Sequence, residues 1–114
     1  MITDGFSARQ RAKLHTLGID NLIDTVIISE ETGFDKHTPK PFELLEKLYP
    51  DADAFYYIGD NPEKDFYYPN ISGWHTIMIS DINNHNIHIQ HTLQEPAYNA
   101  KTTIMSLVEL KKHL

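Results

Sequence analysis

The sequence predicts an α/β fold, a parallel sheet covered by helices, and three observations carry that prediction. Short apolar segments alternate with helix-forming ones along the chain. The segments Thr25-Val26-Ile27-Ile28, Phe55-Tyr56-Tyr57-Ile58 and His75 to Ile79 are rich in β-branched and aromatic residues and read as apolar on both faces, as strands between helices do. Polar groups follow the strand ends: Thr3-Asp4, the stretch leading to Lys36, and Asp60 with Asp65. In open parallel sheets, ligands gather beyond the carboxyl ends of the strands.

Each element has its own local reason. Met1-Ile2 ends in Thr3-Asp4-Gly5, a turn signal. Ser7 can cap a helix over Ala8 to Leu17, with Leu14 and Leu17 on one face and Gly18 at its C-terminal end. A strand over residues 25–28 is broken by Glu31-Thr32-Gly33. Pro39 to Leu48 reads as a second helix with Phe42, Leu45 and Leu48 facing inward and Pro50 ending it. After the strand at Phe55 to Ile58, Asn61-Pro62 reads as a cap followed by a first-turn proline. That helix is short, because Pro69 interrupts it before Gly73. A strand at His75 to Ile79 follows, then an irregular Asn- and His-rich segment over residues 81–98. The reading closes with a helix over Thr102 to Leu114, with Leu107, Leu110 and Leu114 on one face.

Composition narrows the function classes. With 114 residues, the chain has room for one small domain with one core. Hydrophobic residues make up 40%, charged residues 23%, and the net charge is −6, which argues against a nucleic-acid or anionic-membrane surface. The absence of cysteine excludes a disulfide framework and a thiolate zinc site. No apolar run reaches the length of a membrane span and the N-terminus has no signal-peptide character, so the expected location is cytoplasmic. Asn70-Ile71-Ser72 is a formal glycosylation acceptor, read as chance.

The polar groups at the strand ends suit one chemistry together. Magnesium takes one or two carboxylates, completed by waters and phosphate oxygens. Asp60 follows a strand directly, Asp65 lies about one helical turn further on, and Gly59 allows close backbone approach. A hydroxyl such as Thr3 with backbone N–H groups after it suits a phosphate oxygen, and a lysine supplies a point charge for the same anion. Singly, each has a plainer explanation: Asp60 as a helix cap, Lys36 as a solvated charge.

In order and combination these residues resemble the haloacid dehalogenase-like hydrolase superfamily. The match runs through Ile2-Thr3-Asp4-Gly5, the helix from Gln10 to Ile19, and Ser29-Glu30-Glu31-Thr32-Gly33-Phe34-Asp35-Lys36. It continues through Pro39 and Phe42 to Gly59-Asp60-Asn61-Pro62-Glu63-Lys64-Asp65 and Gly73-Trp74. His37 stands where the family carries a proline, and Lys40, a rival to Lys36, has the wrong offset from Gly33. The resemblance implies an incomplete Rossmann-like three-layer sandwich, one partial core domain over residues 1–114, and a magnesium-dependent phosphatase acting on a small phosphorylated metabolite when complete. It implies that Thr3, Asp4 and Lys36 bind the phosphoryl group, Thr3 and Lys36 in a catalytic role, and that Asp60 ligates Mg2+ with Asp65 in support.

One part of the family pattern is missing. The resemblance implies an Asp-x-Asp strand upstream, whose first aspartate is the nucleophile. That strand would lie between the Phe55–Ile58 strand and the one ending at Thr3. The one Asp-x-Asp spacing present, Asp51-Ala52-Asp53, precedes a strand and reads as a solvated loop. The expectation is therefore the C-terminal portion of a longer hydrolase, inactive in isolation, with its open edge covered by a second copy or another chain. The alternative is a non-catalytic binding or oligomerisation module that keeps the fold. Tyr67-Tyr68 replaces residues that are often small in relatives, and the aromatic set reads as core and rim. His85, His88 and His91 recur every three residues and weigh more as a solvated surface than as a zinc site.

Overall fold

A computed structural model describes residues 1–80, 90 and 92–114. The architecture is mixed α/β with open parallel sheets, as the alternation of segments implies. The chain divides into two compact units, Met1–Pro50 and Asp51–Leu114.

In the first unit, β1 (Ile2–Thr3) pairs in parallel with β2 (Ile27–Ile28), matching Ile2 to Ile27 and Thr3 to Ile28. The strand expected over residues 25–28 is thus shorter, because β1 offers only two residues to pair with. Between them runs α1 (Ser7–Thr16). Ser7 is its first helical residue and not its cap: the Ser7 hydroxyl bonds the Glu31 carboxylate. Leu14 is buried, but Leu17 is 68% exposed, because the helix ends at Thr16 and Gly18 turns away with φ +69°. The break expected at Glu31 is instead α2 (Ser29–Thr32), one helical turn closed by Gly33 in the left-handed conformation. α3 (Lys40–Leu48) starts from Pro39 and buries Pro41 and Phe42. Leu48, expected to face inward, is exposed in the last turn beside the Tyr49 cap.

Arg11 of α1 clamps Glu31 of α2 in a bidentate pair, Nε to Oε2 at 2.8 Å and Nη2 to Oε1 at 2.6 Å. The hydrogen bonds from Arg11 and Ser7 hold the Glu31 carboxyl below its ordinary value of 4.5. A depressed folded-state pKa contributes stability above the unfolded value that disappears as pH falls through the folded one. A carbon-detected titration of the Glu31 carboxyl should therefore find its midpoint below 4.5, and Arg11→Met should move it upward. The pair is exposed, so its effect on melting should be small and should weaken with salt.

The second unit is a three-stranded parallel sheet in the order β3 (Tyr56–Gly59), β4 (His75–Ile79), β5 (Thr102–Ile104). β3 and β4 run in register from Tyr56 opposite His75 to Gly59 opposite Met78, and their aromatic rings follow: Tyr56 stacks on His75 at 4.7 Å. Just ahead of the two strands, Phe55 stacks on Trp74 at 4.8 Å. Ile77, Thr76, Ile104, Phe66 and Trp74 are buried. β3 is an edge strand of this sheet, paired with β4 alone. Ile58 on β3, expected to be buried, is 37% exposed on this edge strand.

Two further expectations change in this unit. No helix starts at Pro62; residues 62–64 form a turn, and α4 (Tyr67–Ile71) carries Pro69 inside it. Pro69 is its third residue, where a backbone N–H has no intrahelical partner, so the proline costs no hydrogen bond. The closing helix is instead β5 followed by a 3-10 segment, Leu107–Lys112. The β-branched Thr102-Thr103-Ile104 run pairs with Ile77-Met78-Ile79. Ser106 then caps the 3-10 segment in a capping box with Glu109, and Leu107 and Leu114 are exposed, not inward.

A partly buried polar cluster joins α4 to the chain before β5. The Asn70 amide donates to the carbonyls of Ala97 and Asn99, both at 2.8 Å, and its carbonyl accepts the Thr76 hydroxyl at 2.7 Å. Thr76 in turn accepts the Lys101 N–H at 2.9 Å. The Asn70 side chain is thus taken up by the fold. Tyr67 packs on both Tyr68 and Tyr98, which accounts for bulky residues at these positions.

Candidate functional site

The first unit gathers Thr3, Asp4 and Lys36 at the carboxyl end of β1. β1 places Thr3 at its last position, and the Thr3 hydroxyl lies 3.2 Å from Oε1 of Gln10 on α1. The following turn is stitched to the chain after β2. Ser29 Oγ accepts the Gly5 N–H at 2.8 Å, and Asp4 Oδ1 accepts the Lys36 N–H at 3.1 Å. The Asp4 carboxylate thus braces the lysine segment against the turn. Gly5, at φ +121°, has the backbone that favours glycine at this turn. A depression of about 380 Å³ opens beside it, lined by Gly5, Phe6, Ser29, Glu30, Gly33 and Asp35. The rival Lys40 lies on α3, 3.7 Å from Glu43 at the surface.

The second unit carries Asp60 immediately after β3. The Asp60 loop folds around a buried carboxylate: Asp65, 2% exposed, accepts the N–H of Asp60 at 3.1 Å and of Asn61 at 2.9 Å on one oxygen, Oδ2. The turn is closed by the Asn61 carbonyl, which accepts the N–H of Lys64 at 3.1 Å and of Asp65 at 2.9 Å. Gly59 has a spatial reason to be glycine: a Cβ there would stand 2.5 Å from Asp65 Oδ2. Asp65 therefore shapes the loop from which Asp60 projects.

Magnesium needs only one or two protein carboxylates, so the donor set after β3 fits it. No group of three or more His, Cys, Asp or Glu that could enclose a metal ion occurs among the described residues. Asp51 and Asp53 are exposed in the loop before β3, as expected. The residues His85, His88 and His91 lie outside the described residues. No described helix is long and apolar enough to cross a membrane.

Gln90 was not legible as part of this region. It sits in the Asn- and His-rich segment, outside any motif, yet its side-chain amide reaches the Asp60 carbonyl at 2.8 Å.

No family model matches the chain. Curated relatives do. The chain is 32% identical over 117 aligned residues to pyrimidine 5'-nucleotidase YjjG of Escherichia coli, covering 100% of the chain and 48% of that protein. It is 37% identical over 79 residues to a glyceraldehyde 3-phosphate phosphatase of Methanopyrus kandleri, covering 68% of the chain and 34% of that protein. It is 37% identical over 71 residues to a ribulose-1,5-bisphosphate 5-phosphatase of Halopiger xanaduensis, covering 61% of the chain and 30% of that protein. The chain thus spans about half the length, or less, of the relatives it matches.

Proposed function

Because the chain belongs to the haloacid dehalogenase-like hydrolase superfamily, we propose that it supplies the phosphate- and magnesium-binding residues of a phosphatase acting on a small phosphorylated metabolite. The observation that carries this reading is the brace in which Asp4 accepts the Lys36 N–H, tying the lysine segment to the turn after Thr3. That the relatives are named as phosphatases and a nucleotidase supports the reaction class.

In this reading the Thr3 hydroxyl donates to a phosphoryl oxygen, and the Lys36 ammonium offsets the charge that develops on the transferred group. Asp4, itself anionic, acts by holding the Lys36 segment. Asp60 holds Mg2+ by its carboxylate, and Asp65 supports it by fixing the loop. Bound magnesium supplies neutralisation of phosphoryl charge. The nucleophilic step needs the first aspartate of an Asp-x-Asp pair following a strand, and the one such spacing in these 114 residues, Asp51-Ala52-Asp53, precedes one.

The purified 114-residue chain should therefore bind inorganic phosphate without turning over p-nitrophenyl phosphate in Mg2+. Lys36→Ala and Thr3→Ala should each weaken phosphate binding about tenfold, the scale of one lost charge-assisted contact. Robust turnover that Asp60→Asn abolishes would overturn the assignment of roles. A second reading is a non-catalytic anion-binding module, in which the turn after Thr3, braced by Asp4, holds an anion without transfer. Fusing an Asp-x-Asp strand ahead of Met1 separates the two: phosphatase activity supports the first, binding without turnover the second.

A further inference from the structure

We propose that Gln90 is a positioning residue for Asp60, acting as the last rung between β3 and β4. The ladder between these strands ends with Gly59 opposite Met78, so Asp60 and Ile79 are the next residues along each strand. The Ser80 N–H turns to the Ile104 carbonyl of β5, and alternation along a strand directs the Ile79 carbonyl the other way, toward β3. Gln90 Nε2 stands at this gap, 2.8 Å from the Asp60 carbonyl and 2.9 Å from the Ile79 carbonyl. A primary amide carries two hydrogens, so one nitrogen serves both acceptors.

Asp60 is consequently held on both of its peptide groups. Its N–H goes to Asp65 Oδ2, and its carbonyl takes a hydrogen from Gln90. Fixing the backbone on either side restricts the direction in which the Asp60 carboxylate leaves the strand. A cavity of about 100 Å³, with Pro62, Met78, Asn99 and Thr103 in its wall, adjoins Gln90. The functional consequence rests on the reading of Asp60 as the magnesium carboxylate. The clamp itself does not.

The test is nitrogen-15 NMR of the 114-residue chain, with MgCl2 as the probe. In the unmodified protein the two Gln90 Hε2 protons should exchange slowly with solvent and resonate away from the positions of a free glutamine amide. Fast solvent exchange at free-glutamine shifts would overturn the proposal without any variant having to fold. Gln90→Leu removes both donors, and Gln90→Glu replaces the NH2 by an acceptor facing two carbonyls. Each should speed exchange of the Asp60 and Asn61 N–H groups at least tenfold, leave Ile77 and Ile104 protected, and raise the Mg2+ titration midpoint severalfold. Exchange within twofold of the unmodified protein in Gln90→Leu would overturn the clamp. A Gln90-dependent loop that shows no response to Mg2+ upholds the clamp and overturns the magnesium reading instead.

Discussion

Asp65→Ala should destabilise the protein by about 3 kcal/mol, the scale of two charge-assisted hydrogen bonds lost in a buried setting. The substitution strips the acceptor from the N–H groups of Asp60 and Asn61 and leaves a void where the carboxylate stood. Asp65→Asn keeps one oxygen and should lose roughly half as much. Gly59→Ala attacks the same contact from the other side, since the new methyl would meet Asp65 Oδ2 at 2.5 Å, Cγ at 2.8 Å and its Cβ at 2.9 Å. Overpacking of this kind costs about 1–3 kcal/mol. Urea denaturation followed by circular dichroism measures all three. A midpoint for Asp65→Ala equal to that of the unmodified protein would show that the carboxylate does not organise the loop. On the proposed reading of Asp60 as the magnesium carboxylate, each variant should also weaken Mg2+ binding, because Asp60 takes its backbone direction from this contact.

Asn70→Leu should have an effect of similar size, for a different reason. Leucine keeps the branched shape of the side chain but leaves the carbonyls of Ala97 and Asn99 and the Thr76 hydroxyl without the partner that Asn70 provides. A buried polar group left unsatisfied costs about 1–3 kcal/mol, and these groups are only partly buried, so the three losses together should cost about 2–3 kcal/mol. The damage should be local first: hydrogen exchange should rise over residues 93–101 before it rises in β3 and β4. Asn70→Asp tests the donors separately, because it keeps an acceptor for Thr76 and loses both bonds to the carbonyls. A variant as stable as the unmodified protein, with residues 93–101 still protected, would refute this account.

The sequence by itself determined the α/β class, the parallel pairing and the strand at His75–Ile79, because β-branched and aromatic runs bounded by turn residues have few other ways to be buried. It also nominated the residues of the candidate site, since a hydroxyl, a lysine and two carboxylates stand at or beyond the ends of apolar segments. The chain's C-terminal segment was decided by tertiary structure. Leu107, Leu110 and Leu114 match a helical face, but Thr102-Thr103-Ile104 lies beside the open edge of β4, and a ladder there outweighs a local helical preference. Pro69 was misleading for a related reason: a proline is tolerated or breaks a helix according to its distance from the first turn, which depends on where the loop at Asp65 ends. The division of labour between Asp60 and Asp65 was likewise set by three-dimensional contacts. The resemblance implied only that Asp65 supports Asp60; the backbone N–H groups turned toward Asp65 make it the brace of the loop. Gln90 had no local signal at all, since its role comes from two carbonyls that the folded strands bring side by side.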